Sequence, residues 1–297
     1  MIYFTRRHTI LLMVMLVVVC GLYGKAYGQT LPALLDYPQN HLPWFTMESE
    51  HFLVHYQEGS DAGALAVLNA AENVYEPITS LYRFEPDGKI SIVVRDREDY
   101  SNGAAFFFDN KVEIWLPALD TPLRGTHSWI ENVVAHELTH MIQLGVSMRR
   151  SRHLPAIYFQ WLSYENVRRP DVLYGFPNGL VTLPTSATSI PAWFAEGTAQ
   201  YIRKTISHDS WDSHRDMLLR TRIMDGSELG LTEMAVFASK NSLERELVYN
   251  QGYSMSEYIR GILGEQGFHG IFVSAGRMRF DFEEYFRVKS GMSLRAV

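Results

Sequence analysis

The pentapeptide His136-Glu137-Leu138-Thr139-His140 is the feature that most constrains what this chain can fold into. Residues four apart on an α-helix lie on one face, one turn above the other. Both imidazoles can therefore point at one metal ion, and the Glu137 carboxylate stands where it can reach a water molecule beside that ion. This spacing of residue types is typical of zinc hydrolases, so it predicts a metal site on a helix.

The residues that flank this motif predict where its helix begins and ends. Ser128 followed three residues later by Glu131 is a capping-box pattern, which predicts a helix start. His136 and His140 then fall in the second and third turns of that helix. Gly145 is a typical C-terminal stop, so the motif helix is expected to end there.

Zinc held by two histidines needs at least one further protein ligand and an open position for water. The chain continues as Met141-Ile142-Gln143-Leu144-Gly145, without a third histidine, so a later segment must supply the ligand. Glu196 is the best candidate, because its neighbours are apolar and a buried carboxylate is costly unless it is paired or binds a metal. Gly197 would let its helix approach the motif helix. The alternative is an exposed Glu196 at a helix start, where the helix dipole favours it.

Hydrophobic periodicity in the first half predicts a small sheet and one long helix. Alternation over residues 51–56 and a β-branched run over residues 89–94 predict two strands, with an amphipathic helix between them that ends near Tyr82. Ala104–Phe108 and Lys111–Leu116 predict two more strands around the turn signal Asp109-Asn110. Residues 29–50 are expected to form an extended arm.

The second half predicts helices after a long irregular segment. The prolines and glycines of residues 170–191 indicate a lid or wall without regular structure. The aromatic stretch Ala156–Tyr164 is interpreted as core packing, with membrane or substrate contact as the alternative. Helices are then predicted from Pro191, over residues 211–224, over residues 244–264 and near Glu283.

The net charge limits the possible partners of the chain, and its first residues indicate the compartment. A net charge of −6 and a pI near 6.0 argue against nucleic-acid binding. Residues 1–28 combine a positive start, an apolar run and a small-residue site at Ala26-Tyr27-Gly28, which is typical of a secretory signal peptide. The chain is therefore expected to be exported to the periplasm, the cell envelope or the exterior. An uncleaved signal or a lipidated Cys20 would instead associate it with a membrane.

A second segment joins the motif to a known family. Trp193-Phe194-Ala195-Glu196-Gly197-Thr198-Ala199-Gln200-Tyr201, together with the histidine motif, resembles the gluzincin metallopeptidases, and most closely the exported bacterial peptidase-MA-like domains. The resemblance covers about residues 50–297. It implies an α+β, zincin-like fold with a small mixed N-terminal β-sheet and helices, including the motif helix, over residues 29–145. A mainly helical subdomain over residues 146–297 would follow.

The resemblance also implies which residues bind the metal and which residue acts as the general base. It implies one Zn²⁺ ion held by His136, His140 and Glu196. Glu137 would be the general base, which takes a proton from the attacking water and returns it to the leaving amine. A zinc ion in such a site acidifies that water and polarises the scissile carbonyl group.

The same resemblance bears on three further features: the oxyanion donor, the substrate-binding strand and the residue that orients a ligand histidine. Related aminopeptidases use a later tyrosine to stabilise the oxyanion, and Tyr249 and Tyr253 stand at that stage of the chain. Zincins bind substrate along an exposed strand edge, for which Gly103–Phe108 is the candidate. Thermolysin-like enzymes place an acidic residue four positions after the third ligand to orient a ligand histidine, but this chain has Gln200 there.

The predicted function is an exported zinc-dependent peptidase with a peptide or protein substrate. The sequence lacks a Gly-Ala-Met-Glu-Asn-type stretch for gripping a free amino terminus, which favours an endopeptidase over an aminopeptidase. One alternative is a non-catalytic gluzincin-fold scaffold or binding module of a larger envelope protein, against which an intact Glu137 argues. Another is a zinc hydrolase of a non-peptide amide. Domains of this kind often precede a β-propeller, so the chain is also expected to be a fragment of a longer parent.

Overall fold

The computed structural model describes residues 42–96, 100–118, 128–148, 158–163, 179–184, 188–205, 213–237, 240–277 and 281–296, and gives only the backbone of 158–163 and 179–184. The described residues from Pro43 onward cluster as one unit. The predicted α+β architecture, with a small mixed sheet and a mostly helical remainder, is confirmed.

The described residues form seven strands and seven α-helices, and the strands of the larger sheet all lie in the first half of the chain. The strands are β1 (Trp44–Glu48), β2 (Phe52–Gln57), β3 (Ile90–Arg95), β4 (Gly103–Phe106), β5 (Lys111–Trp115), β6 (Tyr158–Ser163) and β7 (Gly179–Pro184). The helices are α1 (Asp61–Tyr82), α2 (Trp129–Ser147), α3 (Ala192–Thr205), α4 (Ser213–Met224), α5 (Leu231–Met234), α6 (Ser242–Ala275) and α7 (Phe282–Ser290).

The five-stranded sheet has the order β1-β2-β3-β5-β4. The inner strands β2, β3 and β5 run parallel, and the edge strands β1 and β4 run antiparallel to their neighbours. Alternate residues of the inner strands, such as Phe52, Ile92 and Ile114, are fully buried. This alternation is the period-2 pattern that predicted the strands, because successive side chains point to opposite faces of a sheet. Helix α1 packs on the sheet, and α2 packs on α1.

Strand β1 was not predicted. Residues 29–50 were expected to be an extended arm, but Trp44–Glu48 pairs antiparallel with β2, from Trp44 opposite Gln57 to Glu48 opposite Leu53. Four of its five side chains are exposed, so β1 has no buried face that a hydrophobic pattern could reveal. Backbone hydrogen bonds to β2 hold this edge strand.

Helix α2 begins as predicted but ends later. Ser128 is its N-cap residue, yet the Ser128 side chain makes no capping hydrogen bond, so the expected capping box is absent. The helix also runs through Gly145 to Ser147. A Cβ atom at Gly145 would lie 2.2 Å from Cε1 of Phe84. Gly145 therefore gives room to an aromatic ring that packs on the helix, and it does not turn the chain.

Two more predictions need correction. The segment expected to be irregular, residues 170–191, contains β7, and the aromatic stretch before it contains β6. The two strands pair antiparallel, from Tyr158 opposite Pro184 to Ser163 opposite Gly179. The many prolines and glycines concealed the short apolar run inside β7. Helix α6 was expected to end near Gly264, but it resumes after a kink there, where Gly264 has φ 65° and ψ 174°. The side-chain packing of the aromatic stretch Ala156–Tyr164 lies outside the described residues.

Helices α3 and α6 cross with their backbones in contact. A Cβ atom at Gly197 would lie 2.2 Å from the carbonyl carbon and oxygen of Gly252, and one at Gly252 would lie 2.4 Å from the carbonyl oxygen of Trp193. The crossing therefore requires glycine on both helices. It brings Glu196 of α3 and Tyr249 of α6 to the same region as the histidine motif.

Replacing Gly197 with alanine is expected to lower the free energy of unfolding by about 1–3 kcal/mol, because overpacking forces the two backbones apart. Chemical denaturation measures this change. Gly261→Ala is the matched control, since a Cβ atom there meets no atom within 4 Å. Alanine at that exposed helical position should stabilise the protein by up to about 1 kcal/mol. Equal effects of the two substitutions would contradict the close crossing.

Within the described residues, no helix is both long enough and apolar enough to cross a membrane. The predicted signal peptide, residues 1–28, and Cys20 within it lie outside the described residues.

Candidate metal centre

Three ligand atoms from two helices converge on one point. His136 and His140 project from α2, and their Nε2 atoms lie 3.0 Å apart. The Oε2 atom of Glu196, on α3, lies 3.0 Å from Nε2 of His136 and 3.2 Å from Nε2 of His140. Two imidazole nitrogens and one carboxylate oxygen within 4.8 Å of one another form a group that could hold a metal ion. Two histidines and one glutamate are one of the donor sets found in catalytic zinc sites.

Burial and mutual contact set the protonation of these ligands. Burial lowers the pKa of His136 to about 3, so its imidazole is neutral at neutral pH. Burial would raise the pKa of Glu196, but the nearby charge of His140 and the hydrogen bonds from both imidazoles outweigh it, and the pKa lies well below its usual range. A neutral imidazole and an ionised carboxylate are the forms that bind a metal.

His140 behaves differently from His136. Burial acts to lower the pKa of His140, but the Glu196 carboxylate outweighs it and the pKa is raised. A proton on His140 therefore competes with a metal ion up to a higher pH than it would on an ordinary histidine. Protonation makes the imidazole a cation with no lone pair to offer, so metal affinity is full above this pKa and is lost as the pH falls below it.

The apparent zinc affinity is expected to fall about tenfold per pH unit once the pH drops below the pKa of His140, because one proton must leave for each ion bound. Competition with a chromophoric chelator between about pH 8 and about pH 5 measures the slope. The test uses Glu137→Gln, because the Glu137 carboxyl also titrates near pH 7. A slope of two protons in that variant would contradict the neutral state assigned to His136.

Glu137 lies beside the ligands and under the edge strand of the sheet. It is 7% exposed. A Cβ atom at Gly103 of β4 would lie 2.6 Å from Oε1 of Glu137, and the backbone N–H of Ala105 donates a hydrogen bond to the same carboxylate. Burial raises the pKa of Glu137 to about 7. A carboxylate with that pKa can both accept and release a proton near neutral pH, which suits a general base.

The two candidate tyrosines occupy different places on α6. The ring of Tyr249 is half-buried, and its centroid lies 5.9 Å from that of His136. Tyr253 is 4% exposed and belongs to the hydrophobic core. Residues four apart lie on one helix face, and the ring of Tyr249 is in contact with that of a candidate ligand. The geometry therefore favours Tyr249 for a role at the site and Tyr253 for packing.

Gln200 stands where thermolysin-like enzymes have an acidic residue. It is 6% exposed on α3, and its Oε1 atom has no hydrogen-bond partner among the described residues. The buried Nδ1 atom of His136 also has none among them. Arg203, on the same helix, contacts Asn132, and its positive charge acts on His136 and Glu137. The charge of Arg203 thus acts on the His136 side of the site, and Gln200 is a buried neutral amide four residues after Glu196.

Sequence reasoning missed one polar pair at the site. Gln143 of α2 and Thr198 of α3 are fully buried. The amide nitrogen of Gln143 lies 2.5 Å from Nδ1 of His140, and the hydroxyl of Thr198 donates to its amide oxygen at 3.0 Å. The one available signal was the position of Gln143, three residues after His140 and hence on the same helix face.

Comparison with known proteins gives a distant structural likeness. The chain is similar to an aminopeptidase N family protein from Idiomarina loihiensis, with 11% sequence identity and a TM-score of 0.49 over 86% of this chain and 45% of that chain. The present chain thus spans less than half the length of that protein. No protein-family model matches the sequence, and no curated protein matches it. A function for this chain must therefore be argued from its own residues.

Proposed function

We propose that this chain is an exported, zinc-dependent peptidase of the gluzincin type that cuts within peptide or protein substrates. One observation carries the proposal: the Nε2 atoms of His136 and His140 and the Oε2 atom of Glu196 converge within 4.8 Å, with Glu137 directly beside them. A scaffold would have no use for a buried carboxylate at that point, since burial of Glu137 destabilises its charged form.

Each residue of the proposed site has its own role in the reaction. Zinc held by His136, His140 and Glu196 would supply Lewis acidity, which acidifies water and polarises a carbonyl group. Glu137 takes the proton of the attacking water and carries it to the nitrogen of the leaving amine. Tyr249, whose ring contacts that of His136, donates a hydrogen bond to the oxyanion.

The edge strand β4 is the proposed binding site for the substrate backbone. Among the described strands, β4 pairs only with β5, so its other edge offers backbone N–H and C=O groups to a peptide. Gly103 and Ala105 of this strand touch Glu137. A peptide that adds to β4 as a further strand would therefore present its backbone next to the general base. An extended binding mode of this kind needs no free amino terminus, which supports endopeptidase action.

Removing the Tyr249 hydroxyl is expected to lower kcat with little change in KM, because the oxyanion forms only in the transition state. Loss of one such donor typically reduces kcat about 10²–10³-fold. Steady-state kinetics of Tyr249→Phe measure this effect, and Tyr258→Phe, an exposed position on the same helix, is the control. A rise in KM alone would instead assign Tyr249 to ground-state binding.

Profiling the zinc-loaded protein with a peptide library tests the proposed function. We expect cleavage at internal bonds, abolished by removal of zinc and restored when zinc is added back. Release of single amino-terminal residues would replace endopeptidase with aminopeptidase action. If the protein binds zinc but cuts no peptide, the non-catalytic scaffold becomes the better explanation. Mass analysis of the exported chain tests the predicted cleavage after residue 28.

A further inference from the structure

A buried hydrogen-bonded chain links helix α3 to the imidazole of His140. Thr198 and Gln143 are both 0% exposed. The Thr198 hydroxyl lies 2.7 Å from the carbonyl oxygen of Phe194 and 3.0 Å from Oε1 of Gln143. Nε2 of Gln143 lies 2.5 Å from Nδ1 of His140 and 3.2 Å from the carbonyl oxygen of Ala195. The chain ends at Nδ1 of the imidazole ring, whereas Glu196 contacts Nε2 of the same ring.

The short contact between Gln143 and His140 needs one donor and one acceptor. A neutral imidazole carries its hydrogen on either Nδ1 or Nε2. If Nε2 binds a metal, the hydrogen must be on Nδ1, and the group facing Nδ1 must accept it. An amide can accept only through its oxygen. A metal-binding His140 therefore requires Gln143 to turn Oε1 toward it.

Thr198 offers the turned amide a new partner, in exchange for the hydrogen bond from Nε2 of Gln143 to the carbonyl oxygen of Ala195. Turning the amide by half a turn brings Nε2 of Gln143 to the Thr198 hydroxyl. The hydroxyl can then donate to the carbonyl oxygen of Phe194, at 2.7 Å, and accept from Gln143 at the same time. In the orientation seen in the structure, Thr198 donates to Oε1 and Nε2 of Gln143 faces Nδ1 of His140. Nε2 then donates to Nδ1, and the imidazole hydrogen lies on Nε2 of His140, where it blocks a metal.

We propose that Gln143 is the positioning residue of His140 and that its amide orientation, set by Thr198, selects the imidazole tautomer that binds the metal. Thr198 lies two residues after Glu196 on α3, so one helix carries both the third ligand and the group that sets the tautomer. Because Gln143 is neutral, it orients His140 without adding negative charge to the site. This inference rests on the proposed zinc site.

Two substitutions at Gln143 separate positioning from packing. Gln143→Met keeps a similar volume but cannot accept a hydrogen bond, and it should weaken zinc binding about 10–100-fold, the usual effect of losing such a partner. Gln143→Glu can only accept, and it should bind zinc at least as tightly as the natural protein. If Gln143 served only to pack the two helices, Gln143→Glu would bind zinc more weakly than Gln143→Met, because an added charge at a fully buried position is more disruptive than methionine.

The matched control is Gln251→Met, since the Gln251 amide also bonds to backbone but at Leu229, away from the ligands. It should leave zinc affinity unchanged. Chelator competition gives the affinities, and circular dichroism shows whether each variant is folded. Equal zinc affinity of the natural protein, Gln143→Met and Gln143→Glu would overturn the inference. A natural protein that binds no zinc would overturn the proposed metal site itself, so the two failures are distinguishable.

Nuclear magnetic resonance of the unaltered, zinc-loaded protein gives a second readout that does not depend on variants or on activity. The His140 ring should show its hydrogen on Nδ1 and exchange it slowly with water. The side-chain amide hydrogens of Gln143 should show nuclear Overhauser effects to the Thr198 side chain. Amide hydrogens of Gln143 that point at His140 in the zinc-loaded protein would overturn the proposed orientation.

Discussion

Replacing Glu137 with glutamine is expected to lower kcat about 10²–10⁴-fold, the range that a positioned general base supplies, while the protein still binds one zinc ion. Glutamine has nearly the same shape but cannot take a proton. His136, His140 and Glu196 remain in place, so zinc affinity should change little. Peptide cleavage and zinc titration on the same sample measure the two quantities.

The stability of this variant distinguishes loss of chemistry from loss of folding. Burial raises the pKa of Glu137 to about 7, so its charged form is disfavoured in the folded protein. For a carboxyl group whose folded pKa is raised, ionisation destabilises the fold at pH values above the unfolded pKa. Glu137→Gln removes that penalty, and its Tm near pH 8 should be equal to or above that of the natural protein.

Glu131→Gln is the control for this experiment, because it removes the same charge from an exposed position on the same helix. Its kcat should stay near that of the natural protein. Retained turnover in Glu137→Gln would contradict the proposed mechanism. A lower Tm together with lost zinc would mean that Glu137 supports the fold and is not the base.

The sequence predicted the parts of the site that depend on local geometry. His136 and His140 fall on one face because a helix repeats every 3.6 residues, which needs no knowledge of the rest of the fold. Glu196 could be found because it is an ionisable residue in an apolar segment, which indicates a buried carboxylate. The glycine that follows it indicates that another helix packs closely against this one. The structure brings these three side chains together, but the close approach at Gly197 is to Gly252 of α6, whereas the sequence predicted it for the motif helix α2.

Features that depend on distant partners could not be predicted in the same way. Gln143 looks like any polar residue of a helix until Thr198, 55 positions later, is placed against it. Tyr249 and Tyr253 lie four residues apart on one face of α6, so the sequence does not show which of them reaches the site. Only the packing of α6 against α2 and α3 distinguishes their roles. The edge strand β1 was not predicted for a different reason: its side chains are mostly exposed and so carry no hydrophobic pattern.

Removing the Glu196 carboxylate is expected to have the largest effect on metal binding. Glu196→Ala should weaken zinc binding by more than about 100-fold, beyond the loss of a partner that merely orients a ligand. Glu196→Gln, which keeps the side-chain volume, should lose affinity in the same direction. The pKa of Glu196 lies below its usual range because both imidazoles hold the carboxylate ionised, and an ionised oxygen is the stronger ligand.

Excess zinc separates the role of Glu196 from that of Glu137. A protein short of one ligand still has His136 and His140, so saturating zinc should restore part of the activity of Glu196→Gln. The same addition should restore none in Glu137→Gln, whose defect is the missing base. Glu283→Gln, an exposed carboxylate on α7, controls for charge and should bind zinc like the natural protein. Zinc stoichiometry and affinity that are unchanged in Glu196→Ala would remove this residue from the metal site, and the third ligand would then have to come from another part of the chain.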